Sequence, residues 1–144
     1  MRVVAVVEQQ AGAVRAALEK AVGTHALVVT PQQQPPPYDI VVWAQNPCPD
    51  QLMPLSARAL AVSGDCVPQA LAHCRCSMVL TYGFSSRDTL TPSATLGEDR
   101  VMSLQRGLVT LNGCTVEPME MPVTACADAE TDMAVTAVRL LLGC

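Results

Sequence analysis

The stretch that decides the fold runs from Arg2-Val3-Val4-Ala5-Val6-Val7, through Ala13 to Val22, to Ala26-Leu27-Val28-Val29. The first run is apolar and β-branched without interruption, which predicts a strand buried on both faces of a parallel sheet. In the second, Val14, Ala17, Leu18 and Ala21 recur at helical spacing while Arg15, Glu19 and Lys20 take the opposite side, and Gly23 marks the stop. The third run reads as another strand. Strand, helix, strand is the parallel crossover unit, which is right-handed in nearly all cases.

Working outward, Asp39-Ile40-Val41-Val42-Trp43-Ala44 predicts a third strand. Asn46 to Pro54 predicts a loop or short helix. Ala59 to Ser63 predicts a fourth strand ending in Gly64-Asp65, Val67 to His73 a short helix, and Ser77 to Thr81 a fifth strand. Between the second and third strands, Pro31-Gln32-Gln33-Gln34-Pro35-Pro36-Pro37 predicts an extended polyproline connection on the surface. Beyond the fifth strand the alternation stops. Asp88 to Thr95 is extended in character, and Arg100 to Leu111 and Cys114 to Val123 flank Asn112-Gly113, a strong hairpin signal because both residues accept positive φ. The chain closes on a helix whose first turns carry Asp128, Glu130 and Asp132 and whose end carries Arg139 and Gly143. The expected architecture over residues 1–144 is a single three-layer α/β domain: a mainly parallel sheet, an antiparallel hairpin at one edge, and helices on both faces.

Composition narrows the function classes. Half of the 144 residues are apolar but only 3% are aromatic, and the net charge is -4 with Lys20 the sole lysine beside eight arginines. Such a chain has neither the cationic density that neutralises phosphates nor the stacking surfaces of a nucleic-acid binder. The apolar run at the start is too short for an export signal or a membrane span, so no membrane association and a cytoplasmic location are the expectations. With seven cysteines (Cys48, Cys66, Cys74, Cys76, Cys114, Cys126 and Cys144) complete internal pairing is impossible, and free thiols are expected.

Several groups are of the kind that carries chemistry. His73-Cys74-Arg75-Cys76 with Cys66 is the densest set of potential ligands, but its spacing is unlike paired zinc knuckles, and no metal or cofactor is expected. A thiolate nucleophile would need His25 or His73 as its base, and sequence adjacency to Cys74 supplies no geometry. Glu117 with Glu120, and Glu98 with Asp99, read as solvated charges rather than acid–base pairs. The first strand-to-helix turn, Glu8 to Ala13, holds Gly12 but no phosphate-loop lysine. Strand ends make the better ligand lip: Ser63-Gly64-Asp65 and Tyr82-Gly83-Phe84 would lie side by side beyond the carboxyl edge, where open α/β sheets bind ligands. Gly12, Asp65, Tyr82 and Gly83 are therefore the candidate ligand-binding residues, and no catalytic residue is assigned.

Those same residues carry a resemblance. Ala59 to Val123 resembles part of the central domain of the Mur ligases, which join amino acids to peptidoglycan precursors and have folylpolyglutamate and cyanophycin synthetases as relatives. Ser63-Gly64-Asp65 stands where that family carries an Asn-x-Asp-Asp motif, and Val79 to Phe84 is similar to its strand ending in an aromatic residue and glycine. The family's Gly-Lys-Thr phosphate loop is replaced by Glu8 to Ala13, and its magnesium-binding glutamate has no counterpart near Trp43-Ala44-Gln45. The resemblance implies a Mur-ligase-like scaffold without the ATP chemistry. The expected function is binding of a small molecule or a protein partner, with self-association possible through the edge hairpin. The alternatives are an accessory or degenerate member of an ATP-dependent amide ligase system, and a thiol or metal-binding protein.

Overall fold

The computed structural model describes residues 1–8, 12–44, 54–96 and 99–143. The elements follow the chain as β1 (Arg2–Val7), α1 (Ala13–Val22), β2 (Ala26–Val29), β3 (Tyr38–Trp43), β4 (Leu55–Ser63), a short 3-10 turn (Gly64–Cys66), α2 (Val67–His73), β5 (Cys74–Tyr82), β6 (Leu90–Leu96), β7 (Asp99–Leu104), β8 (Leu108–Val109), β9 (Thr115–Val116), β10 (Met119–Thr124) and α3 (Ala129–Leu142). Eight strands form one mixed sheet in the order β10-β7-β6-β5-β4-β3-β1-β2, and β8 pairs with β9 in a separate antiparallel ribbon. From β2 to β6 every pairing is parallel; β6 with β7 and β7 with β10 are antiparallel. The expected α/β class is what forms.

The β-branched runs sort themselves to two faces with period two, as strands buried on both sides must. Val4, Val6, Ile40, Val42, Ala59 and Ala61 pack under α1 and α3. Ala5, Val7, Val41, Trp43, Leu60 and Val62 point to the opposite face, where Cys66 and α2's Ala70 cover them. Helix α3 is held at both ends by its own sequence. Asp128 caps it, accepting from Thr131 N–H at 2.8 Å, and Gly143 ends it in the left-handed conformation at φ 79°.

Two strands are longer than their sequence pattern. β4 starts at Leu55 rather than Ala59, and β5 at Cys74 rather than Ser77. Ser56, Ala57 and Arg58 are weak strand formers, but they lie between β3 and β5 in register, with Ala57 opposite both Tyr38 and Cys76. Tertiary pairing overrides propensity there. The proline-rich segment lies on the surface as expected, but its first part, Pro31 to Gln33, is a turn rather than an extended polyproline stretch. Gln33 folds back on Thr30, its N–H donating to the Thr30 carbonyl at 3.0 Å and its side-chain oxygen accepting from Thr30 N–H at 2.9 Å. The loop or short helix expected over Asn46 to Pro54 lies outside the described residues apart from Pro54.

The hairpin predicted at Asn112-Gly113 forms as two consecutive ladders. β8 and β9 flank the turn, while β7 and β10 pair further back, Leu104 opposite Met119 and Asp99 opposite Thr124. That hairpin places β10 on the sheet edge. The join between the parallel and antiparallel strands is narrow, since β5 and β6 meet in a single pair, Tyr82 with Leu90. Across this seam Gly83 N–H donates to the Leu90 carbonyl at 3.1 Å. Among the described residues no helix is long and apolar enough to cross a membrane.

Candidate functional site

Four strand exits line up at the carboxyl edge: Val7-Glu8 after β1, Trp43-Ala44 after β3, Ser63-Gly64-Asp65 after β4 and Tyr82-Gly83 after β5. The start of α1 opens onto the same edge. Gly12 is its N-cap at φ 84°, a left-handed conformation that glycine adopts without steric cost. The side chain of Glu8 then turns back on the helix, and its Oε2 accepts from Val14 N–H at 2.8 Å. The helix end is thus capped by a carboxylate belonging to the chain itself, the arrangement its dipole favours. Gln9, Gln10 and Ala11 lie outside the described residues.

At the exits of β4 and β5 a neighbouring turn fills the space between them. Asp88 is 5% exposed, and its carboxyl fits against both glycines. A Cβ on Gly83 would stand 2.5 Å from Asp88 Oδ2, and one on Gly64 would overlap Oδ1. The turn is fixed by Ser85 N–H donating to Asp88 Oδ2 at 3.1 Å and Asp88 N–H donating to the Ser85 carbonyl at 3.0 Å. Thr89 N–H reaches back to Thr81 Oγ1 at 3.0 Å. Sequence reasoning did not single out Asp88. The available signal was a pair of glycines on adjacent strand exits with an acid in the following tight turn.

The structure separates the four candidate residues. Gly12 is half-buried at α1, and Asp65 is exposed in the turn after β4. Gly83 packs on Asp88, whereas Tyr82 is only 2% exposed, in the core beneath α3. Burial pushes the Tyr82 phenol well above its ordinary value, helped by the negative charges of Glu130 and Asp128 at the start of α3. One large apolar side chain does stand out from this edge: Phe84, 70% exposed.

The cysteine cluster is divided between the two ends of the β4–β5 pair. Cys74 lies opposite Leu55, the first residue of β4, while Cys66 follows the last residue of that strand. Burial pushes the Cys74 thiol up to about 12, with the neighbouring Cys76 adding to the rise. Cys66 is raised by burial and then by the charges of Asp65 and Glu130, and Cys76 by burial. These are protonated, poorly nucleophilic thiols. His73 is half-buried and stacked on Trp43, ring centroids 5.8 Å apart and planes 18° apart. Among the described residues no three His, Cys, Asp or Glu side chains converge as metal ligands would. Glu117 and Glu120 are both exposed, and Glu98 lies outside the described residues.

The larger and more enclosed of two hollows lies elsewhere, in a groove of about 570 Å³ between α1, α3 and β10. Ala17 and Ala21 form one wall, Val135 and Leu140 the floor, and Met121 and Val123 the far wall. Lys20 and Arg139, both exposed, stand beside it. The acid in its lining, Asp132, is already engaged: Arg100 Nε donates to it at 2.8 Å, and the N–H groups of Cys126 and Ala127 donate to its other oxygen at 3.3 and 3.1 Å. A second hollow of about 510 Å³ lies between β5, the β8–β9 ribbon and the end of α3, with Arg106 as its only charged lining residue among the described residues. Neither hollow was legible beforehand, because each is lined by segments far apart in the chain.

Comparison with protein-family models, with curated proteins and with solved structures finds no match to this chain.

Proposed function

We propose that this chain is a small-molecule-binding protein on a Mur-ligase-like α/β scaffold, and that it does not use nucleotide-driven chemistry. The observation that supports the reading is the Glu8 carboxylate at 2.8 Å from Val14 N–H. In a scaffold of that kind a nucleotide phosphate would approach this helix end. Here it would have to displace a carboxylate and then lie beside it, like charge against like. The groove between α1, α3 and β10 is the better binding surface: its volume falls within the roughly 300–1,000 Å³ of small-molecule sites, and it combines apolar walls with a few polar groups.

The test is a thermal-shift titration with MgATP, ADP and nucleotide-linked sugars. A ligand that binds only the folded state adds about 2.7 kcal/mol at a hundred times its dissociation constant, so binding would be plain. The expected result is no saturable shift with any of them. A saturable shift with MgATP would return the ligase reading to first place.

One observation favours a protein partner instead: Phe84, exposed at the carboxyl edge, has the character of an interface anchor. Strand addition at the β10 edge is less favoured, because Pro122 removes an N–H donor from the middle of that strand.

A further inference from the structure

The groove between α1, α3 and β10 brings two cations together on one largely apolar hollow. The protein carries a net charge of -4, yet its single lysine and one of its eight arginines stand together at this groove. Among the described residues neither Lys20 nor Arg139 has a carboxylate within ion-pair distance, a state shared with Arg75, Arg87 and Arg106, whereas Arg2, Arg15, Arg58 and Arg100 each have one. Asp132 supplies no neutralisation, because Arg100 and two backbone N–H groups hold it. A cation in the last turn of a helix suits the helix dipole, which explains the presence of each residue. It does not explain why both line the same concavity.

The groove is also built lengthwise. Lys20 and Arg139 lie near the ends of α1 and α3, while Asp132 and Cys126 lie near the start of α3. Along α3 the distance from Asp132 to Arg139 is roughly 10 Å at the rise of an α-helix. Over that length the lining is mostly apolar, with Thr124 and Thr136 its uncharged polar side chains: Ala17 and Ala21, four residues apart on one face of α1, leave the width, Met121 and Val123 close the far side, and Val135 lies on the floor.

We infer that this groove binds an aliphatic chain carrying one carboxylate, with the carboxylate at Lys20 and Arg139 and the chain lying toward Cys126. The inference rests on the reading of the groove as the binding surface and names its ligand class. A charged head paired with exposed cations keeps part of its hydration, while the chain gains by leaving water.

The experiment compares decanoate, decanol and decyltrimethylammonium, each below its micelle-forming concentration, by thermal shift and by the rate of Cys126 alkylation. Cys114, also exposed but outside the groove, is the internal control. Decanoate is expected to raise the melting temperature saturably and to slow Cys126 alkylation at least threefold, with Cys114 unchanged. Octanoate should bind about tenfold more weakly, the effect of two fewer buried methylenes. The double variant Lys20→Glu/Arg139→Glu changes two exposed side chains, so it should fold, and it should need at least tenfold more decanoate. Equal binding of decanol or of the cation, or an unchanged double variant, overturns the ligand class and leaves the groove as a binding surface. If none of the three probes moves either readout, the groove itself is overturned.

Discussion

Asp88 Oδ2 lies 2.5 Å from where a Cβ on Gly83 would stand, so the two residues fit together only because one of them has no side chain. The Asp88 carboxyl cannot swing away without giving up the N–H of Ser85. Gly83→Ala should therefore destabilise the protein by about 1–3 kcal/mol, the cost of overpacking a filled site. Asp88→Ala should cost a similar amount by leaving a backbone donor without its partner. The two changes should not add. In the double variant the alanine methyl enters space the carboxyl has left, and a double-mutant cycle in urea should show coupling of at least about 0.5 kcal/mol.

Glu8 supplies a second prediction. Its carboxylate takes a donor at the start of α1 that would otherwise depend on water. Glu8→Ala should lower stability by about 0.5–2 kcal/mol, the range for losing a side-chain cap, while Glu8→Gln should lose less because its amide oxygen still accepts. Chemical denaturation of the two variants separates these outcomes.

The Arg100–Asp132 pair ties β7 to the start of α3, and its two members should not be equivalent. Removing Arg100 leaves a carboxylate that still accepts from Cys126 and Ala127 N–H. Removing Asp132 strands both of those donors and the guanidinium together. Asp132→Ala should cost about 2–4 kcal/mol, discounted from a fully buried pair because Arg100 is partly exposed, and Arg100→Ala about half as much. Equal losses would show that the ion pair, rather than the loop it organises, dominates.

The thiols make a prediction about pH and one about reactivity. A thiol raised in the folded state from 9.0 to about 12, as Cys74 is, stays protonated while its unfolded counterpart ionises. Above pH 9 the unfolded state therefore binds fewer protons than the folded one, and stability falls as pH rises toward 12. Cys66, Cys76 and Tyr82, all raised, act in the same direction. Unfolding midpoints should be level through the neutral range and decline on the alkaline side. At pH 8, alkylation followed by mass spectrometry should modify Cys114 and Cys126 first, with Cys66 and Cys74 reacting only on unfolding.

Much of this architecture is legible in local pattern. The β-branched runs, the helical spacing of Val14 and Leu18, and the Asn112-Gly113 turn all carry their structural meaning within a few residues. What could not be read depends on residues that meet only after folding. Ser56 to Arg58 become strand because β3 and β5 flank them, and Gln33 turns the proline segment by bonding to Thr30. The strand-end glycines read as a ligand lip, but the side chain that needs their bareness, Asp88, comes from a turn whose sequence gives no hint of its destination. The groove is harder still. Its walls come from α1, β10 and α3, and only the isolation of Lys20 in an arginine-rich chain marks it in advance.

The seam between β5 and β6 bears on how the molecule comes apart. With one residue pair bridging Tyr82 and Leu90, hydrogen bonding nearly divides the sheet into a parallel block and an antiparallel meander of β6, β7 and β10. Helix α3 packs on β3, β4 and β5 on one side of that division and on β6 on the other. Such an arrangement sets up two cooperative units coupled through one helix. Amide protons of β7 and β10 would then exchange through an opening that leaves β1, β3 and β4 protected, and loosening α3 would be the event that lets the smaller unit go first.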